Sequence, residues 1–494
     1  MNHAMPNSRR SFLSSSLLGG LAATAGQLAV PLSNASGQNT LGGTAATLVA
    51  ANAATCIYQS PYHWNGIMQG LFPPRNKRVN SYEIVFDELS AMQYRLTHMH
   101  ELTTHQRISR GSGPVLALTP ELNEEWIESL TVDVGRGKSM KVKEWLLATI
   151  TMGLLVLKGN AILSERYWSG LQPDTRVTGY SLGKVLAALG VGAALQMGKV
   201  DLINPIQTYI PELGATGYRG ATVQQLLDME SGIDYALGPQ SLSHFERWAV
   251  CLYAHWLSNG MLKDSRNAPE FVRAHLAAAG VKQASADWGE ADFILALPLA
   301  RPHGRSFYYK ECDPVVVGWL IASLYEQRFS DALSEILWSK IGAEWDAHVI
   351  TDGNASNSAY VGAGMGYTLR DMGRVGILIS GDGRINGEQI VSESFVQRMR
   401  SQRPNWRATK CNADAFTPLD PTGLHDEQGV QYGNFVYSYP DGRIQGSGGQ
   451  GQTLTVKDDV VVVKFSTLVT ASVDDSYLVD HLGAADLVRQ LASQ

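Results

Sequence analysis

The chain has 494 residues, 44% of them hydrophobic and 17% charged, enough for one large or two moderate domains with a substantial core. A formal net charge of -6 and a pI near 6.1 leave no basic footprint, which argues against nucleic acid and anionic membrane surfaces as partners. The four cysteines, Cys56, Cys251, Cys312 and Cys411, are far apart with no C-x-x-C pair, so their spacing yields no zinc or thioredoxin-like motif; buried free thiols are expected, with one or two disulfides left open.

At the N-terminus, Ser8-Arg9-Arg10-Ser11-Phe12-Leu13 precedes an uncharged run of small and apolar residues from Leu17 to Ala29. Twin arginines before a short apolar stretch predict a Tat export signal over residues 1–35, with cleavage between Ala25 and Ala35. The run is too short and too rich in Gly and Ala for a transmembrane helix, so no stable membrane anchor is expected. The implied partner is the Tat export machinery, and the implied location is the periplasm. Residues 36–140 form an N-terminal extension that carries no motif, with a helix predicted over Ser81–Met99. His98, His100 and His105 fall near its end; His100 and His105 are five apart rather than four, which points them in different directions on a helix and predicts surface or structural histidines.

From residue 141 the pattern sharpens. Gly153–Leu157 and Ala161–Trp168 flank Lys158-Gly159-Asn160, which reads as a β-hairpin. A polar stretch, Ser169–Thr178, leads to Gly179-Tyr180-Ser181-Leu182-Gly183-Lys184. Val185, Leu186, Leu189, Val191, Leu195 and Met197 then predict a buried helix running to Gly198. Thr222 begins a second helix that Gly232 is expected to stop. Helices and loops alternate to about Arg301. Strands return at Gln452–Val456 and Val460–Phe465 around the turn Lys457-Asp458-Asp459, and an amphipathic helix, Tyr477–Leu491, closes the chain. The fold class is therefore α+β: an antiparallel sheet built from both termini and flanked by helices, with an all-α subdomain inserted.

The hexapeptide satisfies two hydrolase signatures, and both make Ser181 the nucleophile. As G-x-S-x-G it needs a buried strand running straight into the serine, yet the preceding Gln172–Tyr180 segment is polar and contains Pro173. As S-x-x-K it needs only a helix, because residues i and i+3 share a face and Lys184 then reaches the Ser181 hydroxyl. Burial and the positive end of the helix dipole would lower the lysine pKa toward that of a usable base. The Ser181 N–H, at the helix start, is free to donate to an oxyanion.

Tyr180–Lys184 through Gln196–Leu202, Tyr209–Leu213, Thr222–Gly232, Gly362–Arg374 and Gly381–Ile390, taken in order, resemble the serine beta-lactamase and penicillin-binding-protein-related hydrolases, closest to the 6-aminohexanoate-oligomer hydrolase and esterase branch. The resemblance covers roughly residues 145–490 and assigns 141–494 to such a domain, with a beta-lactamase/transpeptidase-like fold. It implies Ser181, Lys184 and a tyrosine as catalytic residues. Tyr309 fits best, in Phe307–Trp319, with Tyr308 as the fallback. In place of the family's Lys-Thr-Gly strand stands Gln445–Gln452, where Gly448 and Gly449 would border the oxyanion, and Tyr235 matches a substrate-pocket segment. The missing lysine in that strand, and Glu311 where the family has Asn, disfavour β-lactams.

The expected function is an exported serine hydrolase cleaving a carboxylic ester or linear amide, a small-molecule substrate, without cofactor or metal. Beta-lactamase or D-Ala-D-Ala carboxypeptidase-type activity is the alternative. A non-catalytic module that binds peptidoglycan or β-lactams is the alternative of another class.

Overall fold

The computed structural model describes residues 89–494 apart from 236–243, 261, 263–267, 269, 283–284, 286, 306, 354–355, 402–428 and 469–474. The export signal, Cys56, Cys411 and the first part of the Ser81–Met99 helix lie outside the described residues. What remains of that helix spans Leu89–Leu102, with a break in helical geometry at His98.

In chain order the strands are β1 (His105–Ile108), β2 (Thr119–Pro120), β3 (Thr131–Gly135), β4 (Lys138–Lys141), β5 (Thr151–Lys158), β6 (Ala161–Tyr167), β7 (Val177–Thr178), β8 (Ala347–Ile350) and β9 (Met365–Tyr367). They continue as β10 (Arg384–Ile385), β11 (Glu388–Gln389), β12 (Gln431–Gly433), β13 (Val436–Ser438), β14 (Ile444–Gly448), β15 (Gln452–Lys457) and β16 (Val460–Ser466). The main sheet has eight strands in the order β12-β13-β14-β15-β16-β5-β6-β2. Its centre joins the two ends of the domain: β16 pairs antiparallel with β5, Val462 opposite Val156. The Lys158-Gly159-Asn160 turn closes the β5–β6 hairpin, Gly159 supplying a φ of 57°.

Both faces of β5 and β16 are covered, which is why these strands read as unbroken apolar runs. Alternation sorts their side chains into two cores. Leu154, Val156, Val460 and Val462 pack with Trp145, Val132 and the C-terminal helix Asp475–Ala492. Leu155, Leu157, Val461 and Val463 face the larger core, which includes Met372 and Val375 of the helix Leu369–Ser380 and Val185 and Leu189 of the helix Lys184–Gln196.

A second sheet, β1-β8-β9-β7, positions the approach to Ser181. Here the structure corrects the expectation that no strand precedes the serine: Val177–Thr178 pairs with Met365–Tyr367. It is only two residues long and belongs to the small sheet: just upstream, Thr175 N–H donates back to the Gln172 carbonyl at 3.0 Å in a turn. Residues 105–108 of the extension supply β1 of that sheet and 119–120 the parallel edge strand of the main one. The helix begun by Thr222 also ends earlier than expected, spanning Val223–Leu227. Met229 then turns left-handed at φ 56°, and Gly232 at 72° serves the following turn.

Candidate active site

Ser181 sits in a single 3-10 turn, Tyr180–Gly183, that runs without interruption into the helix Lys184–Gln196. The chain enters this turn through Tyr180 at φ 47°, a left-handed conformation that costs a residue with a Cβ of order 1–3 kcal/mol and is held by its surroundings. One support is the Gly179 N–H, which donates to the Met365 carbonyl at 2.9 Å. From Lys184 to Ala194 every side chain of the helix is buried.

Lys184 is therefore a fully buried amine with three oxygens around it. Its Nζ donates to Ser181 Oγ at 2.7 Å, Glu311 Oε2 at 2.8 Å and the Gly362 carbonyl at 2.6 Å. Burial pulls its pKa below the ordinary lysine value, and the Glu311 charge offsets part of that. The three acceptors match the three protons of an ammonium. Once one proton is lost, the lone pair faces Ser181 while Glu311 and Gly362 hold the other two.

Tyr309 closes the other side. Its ring centroid lies 4.9 Å from Lys184 Nζ, and its hydroxyl sits among Ser181, Tyr432 and Glu311, which all act on its ionisation. Burial first, and then the Glu311 charge, raise the phenol well above its usual pKa, so it keeps its proton at neutral pH. Tyr308 is oriented elsewhere, with the Arg301 guanidinium 4.3 Å from its ring centroid and the buried Tyr235 ring 6.3 Å away.

The segment carrying Tyr309 is fixed residue by residue. Lys310 Nζ pairs with Asp313 at 2.8 Å and donates to the Met229 carbonyl at 2.8 Å. Asp313 in turn accepts from Ser231 Oγ at 2.7 Å and the Tyr218 hydroxyl at 3.2 Å. Glu311, between them, points to Lys184.

Strand β14 lies against the serine turn so closely that a Cβ on Gly448 would fall 2.0 Å from the Gly179 carbonyl oxygen and 3.2 Å from the Leu182 nitrogen. Nothing would obstruct a Cβ on Gly449. β13 pairs with Ile444 and Gln445, and among the described residues no strand pairs with Gly446–Gly448 on that side. An acyl group on Ser181 thus meets backbone on two sides, the serine turn and the end of β14.

The structure brings Ser181, Lys184, Tyr309 and Gly448 together; Gly449 follows at the open end of β14, and Tyr235 stands behind Tyr308. Sequence reasoning missed two partners. Glu311 was noted only as a departure from Asn, although its place two residues after the tyrosine puts it on the site side of the same segment. Gly362 acts through a backbone carbonyl, which leaves no side-chain signal. A Cβ on Gly362 would come within 2.3 Å of Glu311 Oε2, which accounts for glycine there.

The histidines of the extension form no zincin. Half-buried His100 and exposed His105 instead group around buried His348 of β8, with ring centroids 5.0 to 5.9 Å apart. Elsewhere, Cys251, His255 and Cys312 converge although their spacing carries no metal motif. These two cysteines are free and buried.

A model of the beta-lactamase family matches residues 146–485. The 6-aminohexanoate-dimer hydrolase of Paenarthrobacter ureafaciens is 28% identical over 330 residues, 66% of this chain and 75% of that protein. Among solved structures, a protein provisionally assigned as a 6-aminohexanoate-dimer hydrolase from Bacillus anthracis superposes with a TM-score of 0.67 at 22% identity, over 85% of this chain and 99% of the other. One provisionally assigned as a beta-lactamase from Bacteroides dorei gives 0.50 at 17% identity, over 72% and 97%. These structural likenesses carry the beta-lactamase/transpeptidase-like fold.

Proposed function

The chain belongs to the beta-lactamase family and is a serine-type hydrolase, and from that premise we propose that it cleaves carboxylic esters and linear amides through an acyl-enzyme on Ser181. The observation that carries this reading is the placement of Lys184 Nζ 2.7 Å from Ser181 Oγ, with Glu311 and Gly362 fixing its remaining protons. Neutral Lys184 takes the serine proton as Oγ attacks the carbonyl carbon. Such positioned base catalysis contributes about 10²–10⁴-fold. The oxyanion meets the Ser181 N–H and a backbone donor near Gly449, each such donor contributing about 10²–10³-fold. Tyr309, neutral and beside Ser181, passes a proton to the leaving alkoxide or amine, and water then releases the acid by the reverse relay.

Two features support linear substrates over β-lactams. The β14 segment, Gln445-Gly446-Ser447-Gly448, offers no lysine for a lactam carboxylate, and the relative with 28% identity is a 6-aminohexanoate-dimer hydrolase. The twin-arginine segment supports Tat export and a periplasmic location.

The test is a substrate panel of p-nitrophenyl esters, the 6-aminohexanoate dimer and nitrocefin, with wild-type protein beside Ser181→Ala. The expected result is ester or amide turnover that disappears in Ser181→Ala. Nitrocefin turnover rivalling the esters, or turnover surviving the substitution, would overturn the proposal.

A further inference from the structure

Behind the catalytic segment, four buried side chains form a cluster that the hydrolase chemistry does not use. Cys251 and His255 are four apart on the helix His244–Ser258, so both project from one face. Cys312 is the first residue of the helix Cys312–Tyr325 and follows Glu311 directly. All three side chains are wholly buried. One ligand atom from each lies within 4.8 Å of the other two.

The distances fit a tetrahedral metal centre. Two thiolates bound at about 2.3 Å with a tetrahedral angle stand about 3.8 Å apart, and a thiolate and an imidazole nitrogen about 3.6 Å apart. The Cys251 and Cys312 sulfurs are 3.7 Å apart, and His255 Nε2 is 3.3 Å from the Cys312 sulfur. The other ring nitrogen is held as metal-bound histidines are held: Nδ1 meets Glu290 Oε1 at 2.6 Å, which turns Nε2 toward the sulfurs. Glu290 is itself fully buried, and its backbone N–H donates to Asp352 at 3.3 Å. Its second oxygen finds no hydrogen-bond partner among the described residues. A buried carboxyl held against one imidazole nitrogen while the other nitrogen faces two thiols is the arrangement of a metal-bound histidine with its orienting partner.

We propose that Cys251, His255 and Cys312 form a binding site for a thiophilic divalent cation of the zinc class, with Glu290 orienting the histidine. Binding forms two metal–thiolate bonds and one metal–Nε2 bond, and the two thiol protons leave to solvent. Two thiolates and a divalent cation sum to zero charge, as burial favours. A three-ligand set leaves one tetrahedral position for water. The metal joins the helix His244–Ser258 to the start of the helix Cys312–Tyr325 and so steadies the neighbouring Glu311; it takes no part in acyl transfer.

The test uses the full chain, reduced, with Cys56 and Cys411 replaced by serine to remove competing thiols. Zinc content after dialysis and Co²⁺ titration are followed by absorption. The expected result is one equivalent of metal, a thiolate-to-cobalt charge-transfer band and the intense visible bands of tetrahedral Co²⁺. Cys312→Ser should abolish the charge-transfer intensity of one thiolate, and Glu290→Gln, which keeps all three ligands, should weaken affinity about 10–100-fold. Circular dichroism separates loss of the site from loss of the fold. Substoichiometric binding, cobalt bound without a thiolate band, or a Cys251–Cys312 disulfide in protein purified without reductant would overturn the proposal. None of these readouts depends on hydrolytic activity.

Discussion

Replacing Glu311 with glutamine keeps the shape beside Lys184 and removes its charge. The two groups are 2.8 Å apart, with side chains 1% and 3% exposed. At an effective dielectric of about 20, unit charges at that separation attract by roughly 6 kcal/mol. Measured losses on breaking buried pairs run about 3–5 kcal/mol. Lys184 limits its own loss by giving up a proton, and each pKa unit corresponds to roughly 1.4 kcal/mol. Losing that attraction lowers the lysine pKa further than burial already does, because the Glu311 charge is what holds it up. The sign follows from the role: a base works when neutral, so activity rises with pH through the Lys184 pKa, and lowering that pKa moves the acid limb to lower pH. The assay is kcat/KM for a p-nitrophenyl ester across pH, which reports the free enzyme's ionisations. Glu311→Gln should shift the acid limb to lower pH. A limb that stays in place or moves upward in a folded variant would refute the role of the pair.

Tyr309→Phe should lower kcat by about 10²–10⁴-fold for amides and far less for p-nitrophenyl esters, whose phenolate leaves without a proton; equal losses in parallel steady-state assays would contradict the relay. Gly448→Ala places a methyl 2.0 Å from the Gly179 carbonyl and should separate β14 from the serine turn. It should cost about 1–3 kcal/mol of stability in urea unfolding and depress kcat for every substrate, whereas Gly449→Ala, which meets open space, should be tolerated. Asp371 accepts from the Glu344 and Trp345 backbones, the Thr368 hydroxyl and Arg374, all between 2.7 and 3.0 Å. Asp371→Ala leaves the buried Arg374 guanidinium with only Glu344 at 3.3 Å as a charged partner and frees the Glu344 and Trp345 N–H groups, and should cost about 3–5 kcal/mol in the same unfolding assay, with Ser181 labelling per folded molecule unchanged.

Features built from neighbours in sequence were legible beforehand. Val156 and Val462 belong to apolar runs broken by Lys158-Gly159-Asn160 and Lys457-Asp458-Asp459, and those turns place both hairpins. Lys184 was readable because three residues on a helix fix its direction. Tyr309 required resemblance, since nothing local separates it from Tyr308; the structure turns one toward Ser181 and the other toward Arg301. Glu311 meets a lysine 127 positions away, and no spacing rule reaches that far. Cys312 was discounted because C-x-x-C was the pattern sought, whereas its neighbours are Cys251 and His255, a helical i, i+4 pair brought to it by packing. The strand before Ser181 escaped because its pairing partner, Met365–Tyr367, lies almost two hundred residues on.

The central claim is that Ser181 forms the covalent intermediate. Rapid acid quench of the protein turning over a slow ester, followed by peptide mass mapping, tests it directly. The mechanism predicts an acyl adduct on Ser181 that appears within the burst, decays on substrate depletion and is absent from Ser181→Ala. An adduct on another residue, or hydrolysis at full rate with no adduct, would contradict it.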